Sequence, residues 1–210
     1  MTRTVVHLLR HGEVENPKKI LYGRLAGYHL SAAGRAMAEK AAAYLAERDV
    51  TYLVSSPLER AQDTAAPLAS RTGLEVHIDG RFIEPTNFFE GKTFGVGDGA
   101  MRYPRNWVVL WNPFRPSWGE PYKEVAARMI EGIATAREQA RGHEAVVVSH
   151  QLPIWVTRLR LTGKRLWHDP RNRECSLASV TSLNYDDDTL VGIDYTEPAG
   201  STDPDAARGA

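Results

Sequence analysis

Three short apolar runs end abruptly in residues able to handle a phosphoryl group. Thr4 to Leu9 (TVVHLL) gives way to Arg10-His11-Gly12, Val50 to Ser55 leads into Ser56-Pro57-Leu58-Glu59-Arg60, and Ala145 to Ser149 (AVVVS) stops at His150. Phosphoryl transfer needs a nucleophile, fixed positive donors for the equatorial oxygens and an acid for the leaving group. A neutral imidazole attacks phosphorus without first losing a proton, which suits His11. Arg10 and Arg60 carry planar forks that match phosphate oxygens. His150, if protonated, adds a further donor, and Glu84, at the edge of a long loop, supplies the acid. No carboxylate cluster has the spacing of a magnesium or two-metal site, so neither metal nor cofactor is expected.

These residues must be positioned by the elements between them. Ser31 is placed to cap a helix carrying Ala33, Met37, Ala41, Tyr44 and Leu45 at helical spacing. Ser56 reads as a second N-cap, with Pro57 at the first helical position and Glu59 closing a capping box. That helix presents Ala61, Ala65 and Leu68 and stops near Gly73, before a strand at Leu74 to Ile78. Residues from about Gly80 to Glu120 show no period, and a loop that long in a compact domain is usually functional. Helical spacing returns at Tyr122, Val125, Met129, Ile133, Ala136 and Ala140, and again from Leu152 to about Leu161. Ser179 to Tyr185 and Leu190 to Tyr195 read as strands joined by the turn Asp186-Asp187-Asp188. Strands alternating with helices predict an α/β fold, a three-layer α/β/α sandwich with a mostly parallel central sheet. In such sheets, sites form beyond the carboxyl ends of the strands, where the three reactive segments fall.

A single domain is expected over residues 1–197, with an insertion or lid at about 86–120 and a small polar tail at 198–210. Acidic and basic residues balance at 26 each, which argues against a general affinity for nucleic acid or an anionic membrane. No segment reads as a signal peptide or membrane span, so a cytoplasmic protein is expected. Cys175 has no cysteine partner. His7 and His11 have metal-site spacing only on a helix, and they fall on a strand. His29, His77, His143 and His168 are read as surface histidines, Arg171-Asn172-Arg173 as a solvated loop, and Arg24 as facing the pocket or, more simply, water. Gly95, Gly97 and Gly99 lack the strand-to-helix context of a nucleotide loop. Trp107, Trp111, Phe114 and Trp118 are packing for the insertion or an aromatic wall for the substrate.

Arg10-His11-Gly12-Glu13 resembles the signature of the histidine phosphatase superfamily, also called phosphoglycerate-mutase-like. The resemblance runs from about Val5 to Leu161. Leu30-Ser31-Ala32-Ala33-Gly34 is similar to the family's helix start, and Ser55 to Ala65 to the segment with its phosphate arginine. Phe82-Ile83-Glu84 with Glu90-Gly91-Lys92 resembles the proton-donor segment. Gly119-Glu120 with Arg128, and Val148-Ser149-His150, match two later motifs. The resemblance implies a metal-free, two-step reaction through phosphohistidine on His11. Arg10, Arg60, His150, Asn16 and Gln151 would then hold phosphate. Asn16 stands one residue nearer His11 than the family's asparagine, Glu90 comes one residue early after Glu84, and Gln151 replaces the usual glycine. The expected partner is a small phosphorylated substrate, with a homodimer left open. Phosphomonoester hydrolysis is the preferred reading; a mutase-type transfer and a noncatalytic phosphate-binding module are its alternatives.

Overall fold

The computed structural model describes residues 2–93, 103–108, 118–169 and 172–200. Its elements run β1 (Arg3–Arg10), α1 (Ala32–Ala46), β2 (Val50–Ser55), α2 (Glu59–Thr72), β3 (Val76–Ile78), α3 (Tyr122–Gln139), β4 (Glu144–Ser149), α4 (Gln151–Leu161), β5 (Val180–Asp186) and β6 (Thr189–Thr196). The six strands form one sheet in the order β3-β2-β4-β1-β5-β6. The β3-β2-β4-β1 half is parallel, while β5 and β6 pair antiparallel at the other edge. This is the expected mixed, mostly parallel α/β sandwich.

Period-two alternation on buried strands divides the core in two. Val6, Leu8, Val54, Ala145 and Val147 face α3 and α4. Leu9, Leu53, Val146 and Val148 face α1 and α2. Strands covered on both faces must be apolar throughout, which is why β1 and β4 read as continuous runs. Each fully buried Leu or Val contributes about 1.5–3 kcal/mol.

Register then delivers the reactive residues side by side. Arg10 pairs with Ser149 and Ser55 with Val148, so the carboxyl ends of β1, β2 and β4 lie level. The His11 N–H donates to the Ser149 carbonyl at 3.1 Å, and the Ser56 N–H to the Val148 carbonyl at 2.9 Å. Pairing therefore continues one residue past the strand ends.

The exit from β1 packs tightly on the start of α1. A Cβ on Gly34 would lie 1.9 Å from the Glu13 carbonyl oxygen, and one on Gly12 would lie 2.6 Å from that of Gly34. No other residue permits this approach. Ser31 caps α1 as expected, accepting from the Gly34 N–H at 3.0 Å, and its hydroxyl donates to Glu13. Helix α2 ends at Gly73 in the left-handed region, also as expected.

After β6, the Glu197 carboxylate accepts from the Ser176 and Tyr195 hydroxyls, and Ala199 packs on the α1/α2 side of the core. The first residues of the expected tail are thus placed against the domain. Residues 201–210, Gly95, Gly97, Gly99, Trp111, Phe114 and Arg171 lie outside the described residues. Among the described residues no helix is long and apolar enough to cross a membrane.

Candidate active site

Beyond the level ends of β1, β2 and β4, five side chains from the sequence reading meet. Arg10, His11, Arg60 and His150 are fully buried, and Glu84 nearly so. The His11 and His150 rings lie 5.1 Å apart. Nδ1 of His11 donates to its neighbour's carbonyl, Gly12 O, at 2.8 Å. That bond fixes the tautomer and leaves the Nε2 lone pair without a partner among the described residues. Burial first, then the Arg60 and Arg10 charges, hold the His11 pKa well below the ordinary histidine value. His11 is therefore neutral at neutral pH and presents Nε2 as a nucleophile.

Each arginine is anchored by one nitrogen and leaves others open. Arg10 Nη1 donates to the Cys175 carbonyl at 2.6 Å, and Arg60 Nη2 to the Gly23 carbonyl at 2.6 Å. The Arg60 guanidinium also lies over the Tyr22 ring, 4.7 Å from its centroid. Nε and Nη2 of Arg10, Nε and Nη1 of Arg60, Nε2 of His11 and Nδ1 of His150 are buried without a hydrogen-bond partner among the described residues. Leaving one buried donor unmade costs about 1–3 kcal/mol, more for a charged group. Concentrated at one place, these groups form a site ready for an anion.

Glu84 follows the single-turn helix Gly80–Phe82. Burial raises its pKa above the ordinary carboxylate value, opposed by Arg60, Arg173, Arg10 and Arg128. Its Oε2 lies 3.8 Å from His150 Nδ1. The backbone of Glu84 is pinned from behind. Arg24 Nε donates to the Glu84 carbonyl, and Arg24 Nη2 to Glu120 Oε2 at 3.1 Å. Arg128 grips both oxygens of Glu120, at 2.7 and 3.0 Å. Arg24 thus braces the acid loop rather than facing water, because a carbonyl and a carboxylate compete successfully for its fork.

Ser56 is a residue that sequence reasoning assigned elsewhere. The capping box does not form: α2 starts at Glu59, with Leu58 in the cap position and no side-chain cap. The Glu59 carboxylate accepts from the Gly27 N–H instead. Ser56 Oγ lies 2.7 Å from His150 Nε2, both residues fully buried, and keeps only a 3.4 Å contact with the Leu58 N–H. A buried imidazole nitrogen without a partner costs more than a frayed cap, so the hydroxyl goes to the histidine.

That bond bears on the charge of His150. Burial, then Arg60, His11, Arg10 and Arg128, hold its pKa well below the ordinary value, which favours the neutral ring in the ligand-free site. A hydroxyl can donate or accept across this contact; in the tautomer in which Ser56 donates to Nε2, the ring proton sits on Nδ1, the nitrogen nearer Glu84. In that tautomer His150 can donate to a ligand as a neutral N–H.

Two further residues read as phosphate donors are otherwise engaged. Asn16 Nδ2 donates to the Ile20 carbonyl at 2.8 Å and Oδ1 accepts from the Ile20 N–H at 3.1 Å, closing a local turn. Gln151, at the start of α4, reaches the Cys175 carbonyl at 3.5 Å and accepts from Arg173 at 3.3 Å. Arg173 and His168 are corrections to the surface reading: both are half-buried and bonded to each other. Trp107 is exposed. Among the described residues no group of three His, Cys, Asp or Glu stands together to hold a metal ion.

The profile of the histidine phosphatase superfamily (branch 1) matches residues 6–196. The uncharacterized protein Rv0525 of Mycobacterium tuberculosis H37Rv is 60% identical over 196 residues, covering 93% of this chain and 97% of that protein. The structure of mycobacterial glucosyl-3-phosphoglycerate phosphatase, Rv2419c, superposes with a TM-score of 0.68 at 28% identity, over 87% of this chain and 90% of that one. YhfR of Bacillus stearothermophilus shares the fold with a TM-score of 0.76 at 22% identity, over 90% of this chain and 94% of its own.

Proposed function

This chain belongs to the histidine phosphatase superfamily, branch 1, and from that premise we propose that it is a phosphomonoesterase acting on a small phosphorylated metabolite through a phosphohistidine on His11. The observation that carries the reading is that nitrogens of Arg10, Arg60, His11 and His150 are buried without a partner among the described residues, with the two imidazoles 5.1 Å apart and the buried Glu84 3.8 Å from His150.

In the first step His11 Nε2 attacks phosphorus in line, the N–P bond forms, and the bond to the ester oxygen breaks. Glu84, whose pKa burial raises, gives its proton to that oxygen as it leaves. Arg10, Arg60 and the Nδ1–H of His150 hold the equatorial oxygens, where charge accumulates. In the second step water attacks phosphorus, the Glu84 carboxylate takes a proton from that water, and the N–P bond breaks to release phosphate. His11 returns neutral, as its surroundings favour. Similarity to glucosyl-3-phosphoglycerate phosphatase supports hydrolysis of an organic phosphate monoester.

The reading is tested by incubating purified protein with a panel of phosphorylated metabolites and measuring released phosphate, alongside transfer between phosphoglycerates. Hydrolysis of several monoesters without transfer is the expected result. Transfer without net release would establish a mutase, and phosphate binding without either reaction a noncatalytic module.

A further inference from the structure

Among the described residues, no anionic side chain forms an ion pair with Arg173. Its Nε donates to His168 Nε2 at 2.9 Å, its Nη1 to Gln151 Oε1 at 3.3 Å, and it hydrogen-bonds the Tyr122 side chain. All three partners are neutral. His168 donates its own Nδ1–H to the Leu166 carbonyl at 2.7 Å, so its Nε2 is the accepting nitrogen. Burial holds the His168 pKa down to about 4, so the ring stays uncharged at neutral pH. None of the ion pairs among the described residues includes Arg173, in contrast to Arg24 and Arg128, which meet Glu120.

Arg173 also stands next to the phosphate-binding groups. Gln151, which receives Arg173 on Oε1, reaches with Nε2 toward the same Cys175 carbonyl that accepts from Arg10. One glutamine side chain therefore separates the two guanidinium groups. Arg173's charge acts directly on Glu84 and Arg10. Glycine, the residue the family pattern has where Gln151 stands, could not make this link.

The charge count then does not close on phosphate alone. Burial holds His11 and His150 neutral and favours the protonated form of Glu84, which among the described residues leaves the charges of Arg10, Arg60 and Arg173 around the site. A phosphomonoester dianion balances two of these. A half-buried guanidinium held by neutral acceptors is organised to meet a further negative group.

We propose that Arg173, positioned by Gln151, His168 and Tyr122, binds a second anionic group on the substrate, a carboxylate or a second phosphate. The substrate class is thus a phosphate monoester bearing another negative charge near the ester. This rests on the reading of Arg10 and Arg60 as the phosphate site.

Phosphonates separate the two readings because they bind without reacting. Affinities of full-length protein for butylphosphonate, 4-phosphonobutyrate and butane-1,4-bisphosphonate are measured by calorimetry, in wild type and in Arg173→Gln, Arg173→Lys and Gln151→Gly. Wild type should bind one or both doubly anionic ligands about tenfold or more tightly than butylphosphonate, the scale of one charged hydrogen bond. Whichever ligand gains identifies the second group as carboxylate or phosphate. The preference should vanish in Arg173→Gln, survive in part in Arg173→Lys and weaken in Gln151→Gly, which remains informative if the Gln variant fails to fold. Equal binding of all three by wild type, or a preference that persists in both Arg173→Gln and Gln151→Gly, would overturn the proposal. An equal weakening of every ligand in Arg173→Gln would also overturn it, by placing Arg173 on the common phosphonate. Failure of all ligands to bind wild type would instead strike the phosphate-site reading itself.

Discussion

Replacing Arg60 with Ala should separate catalysis from stability in one variant. Arg60 keeps Nε and Nη1 buried and unpaired, so it offers two N–H groups to the transferring oxygens. Removing one preorganised donor typically costs about 10² to 10³ in turnover. With two donors lost together, the upper end applies: on the order of a thousandfold, about 4 kcal/mol. Stability should hardly change. The variant loses the bond to the Gly23 carbonyl, about 1.5–3 kcal/mol for a charged donor. It also loses the contact with the Tyr22 ring, about 0.5–2 kcal/mol. Against this it removes two buried unsatisfied donors, which cost about 1–3 kcal/mol each. The contributions nearly offset, so Tm should move by less than about 4 °C. The assay is kcat/KM on phenyl phosphate together with a thermal melt. Arg60→Lys should regain only part of the rate, because a point charge lacks the fork. A Tm drop of more than about 10 °C would mean that Arg60 is a structural ion. Wild-type turnover in the Ala variant would remove it from the site.

Ser56→Ala should lower kcat by about tenfold, the scale of one buried hydrogen bond that orients a donor, with Ser56→Thr restoring most of it. Nitrogen NMR should show His150 losing its fixed Nδ1–H tautomer, and an unchanged tautomer in the Ala variant would refute the positioning role. Activity should fall as pH rises through the raised pKa of Glu84, because the acid must hold a proton, and Glu84→Gln should abolish that alkaline limb. A rate that climbs through pH 9 would contradict an acid role for Glu84. His11 and His150 titrate in the folded state well below the unfolded value near 6.5. Their stabilisation is complete above that pH and is lost as pH falls below it, by up to about 1.4 kcal/mol per pH unit for each. Glu84 has the opposite sign, its raised folded pKa offsetting part of the loss where the windows overlap. Melting in the ligand-free state should therefore worsen from pH 7 to 5.5, and a flat profile would count against buried neutral histidines.

Much of this was legible in the sequence because it is local. Apolar runs of strand length must be buried, and residues at their carboxyl ends fall together in a parallel sheet whatever the loops do. That reasoning brought Arg10, His11, Arg60 and His150 to one edge. Ser56 was misassigned because its nearby signal, a Ser-Pro-x-Glu helix start, competes with a buried partner 94 residues away that no local pattern reveals. The same holds for Arg24, whose acceptors lie on Glu84 and Glu120, and for Arg173 and His168, which look like solvated loop residues. Burial of loop charge is set by tertiary packing, not by spacing. Asn16 fails in the opposite way: its amide closes onto Ile20, four residues on.

The central claim is that Nε2 of His11 carries the phosphoryl group. Protein quenched in alkali during turnover of a monoester, digested and mapped by mass spectrometry, tests it directly. The account predicts a base-stable, acid-labile phosphate on His11 of the wild type, none in His11→Ala, and turnover in that variant reduced by orders of magnitude. Phosphate mapping to a serine or an aspartate, or His11→Ala turning over at the wild-type rate, would contradict it.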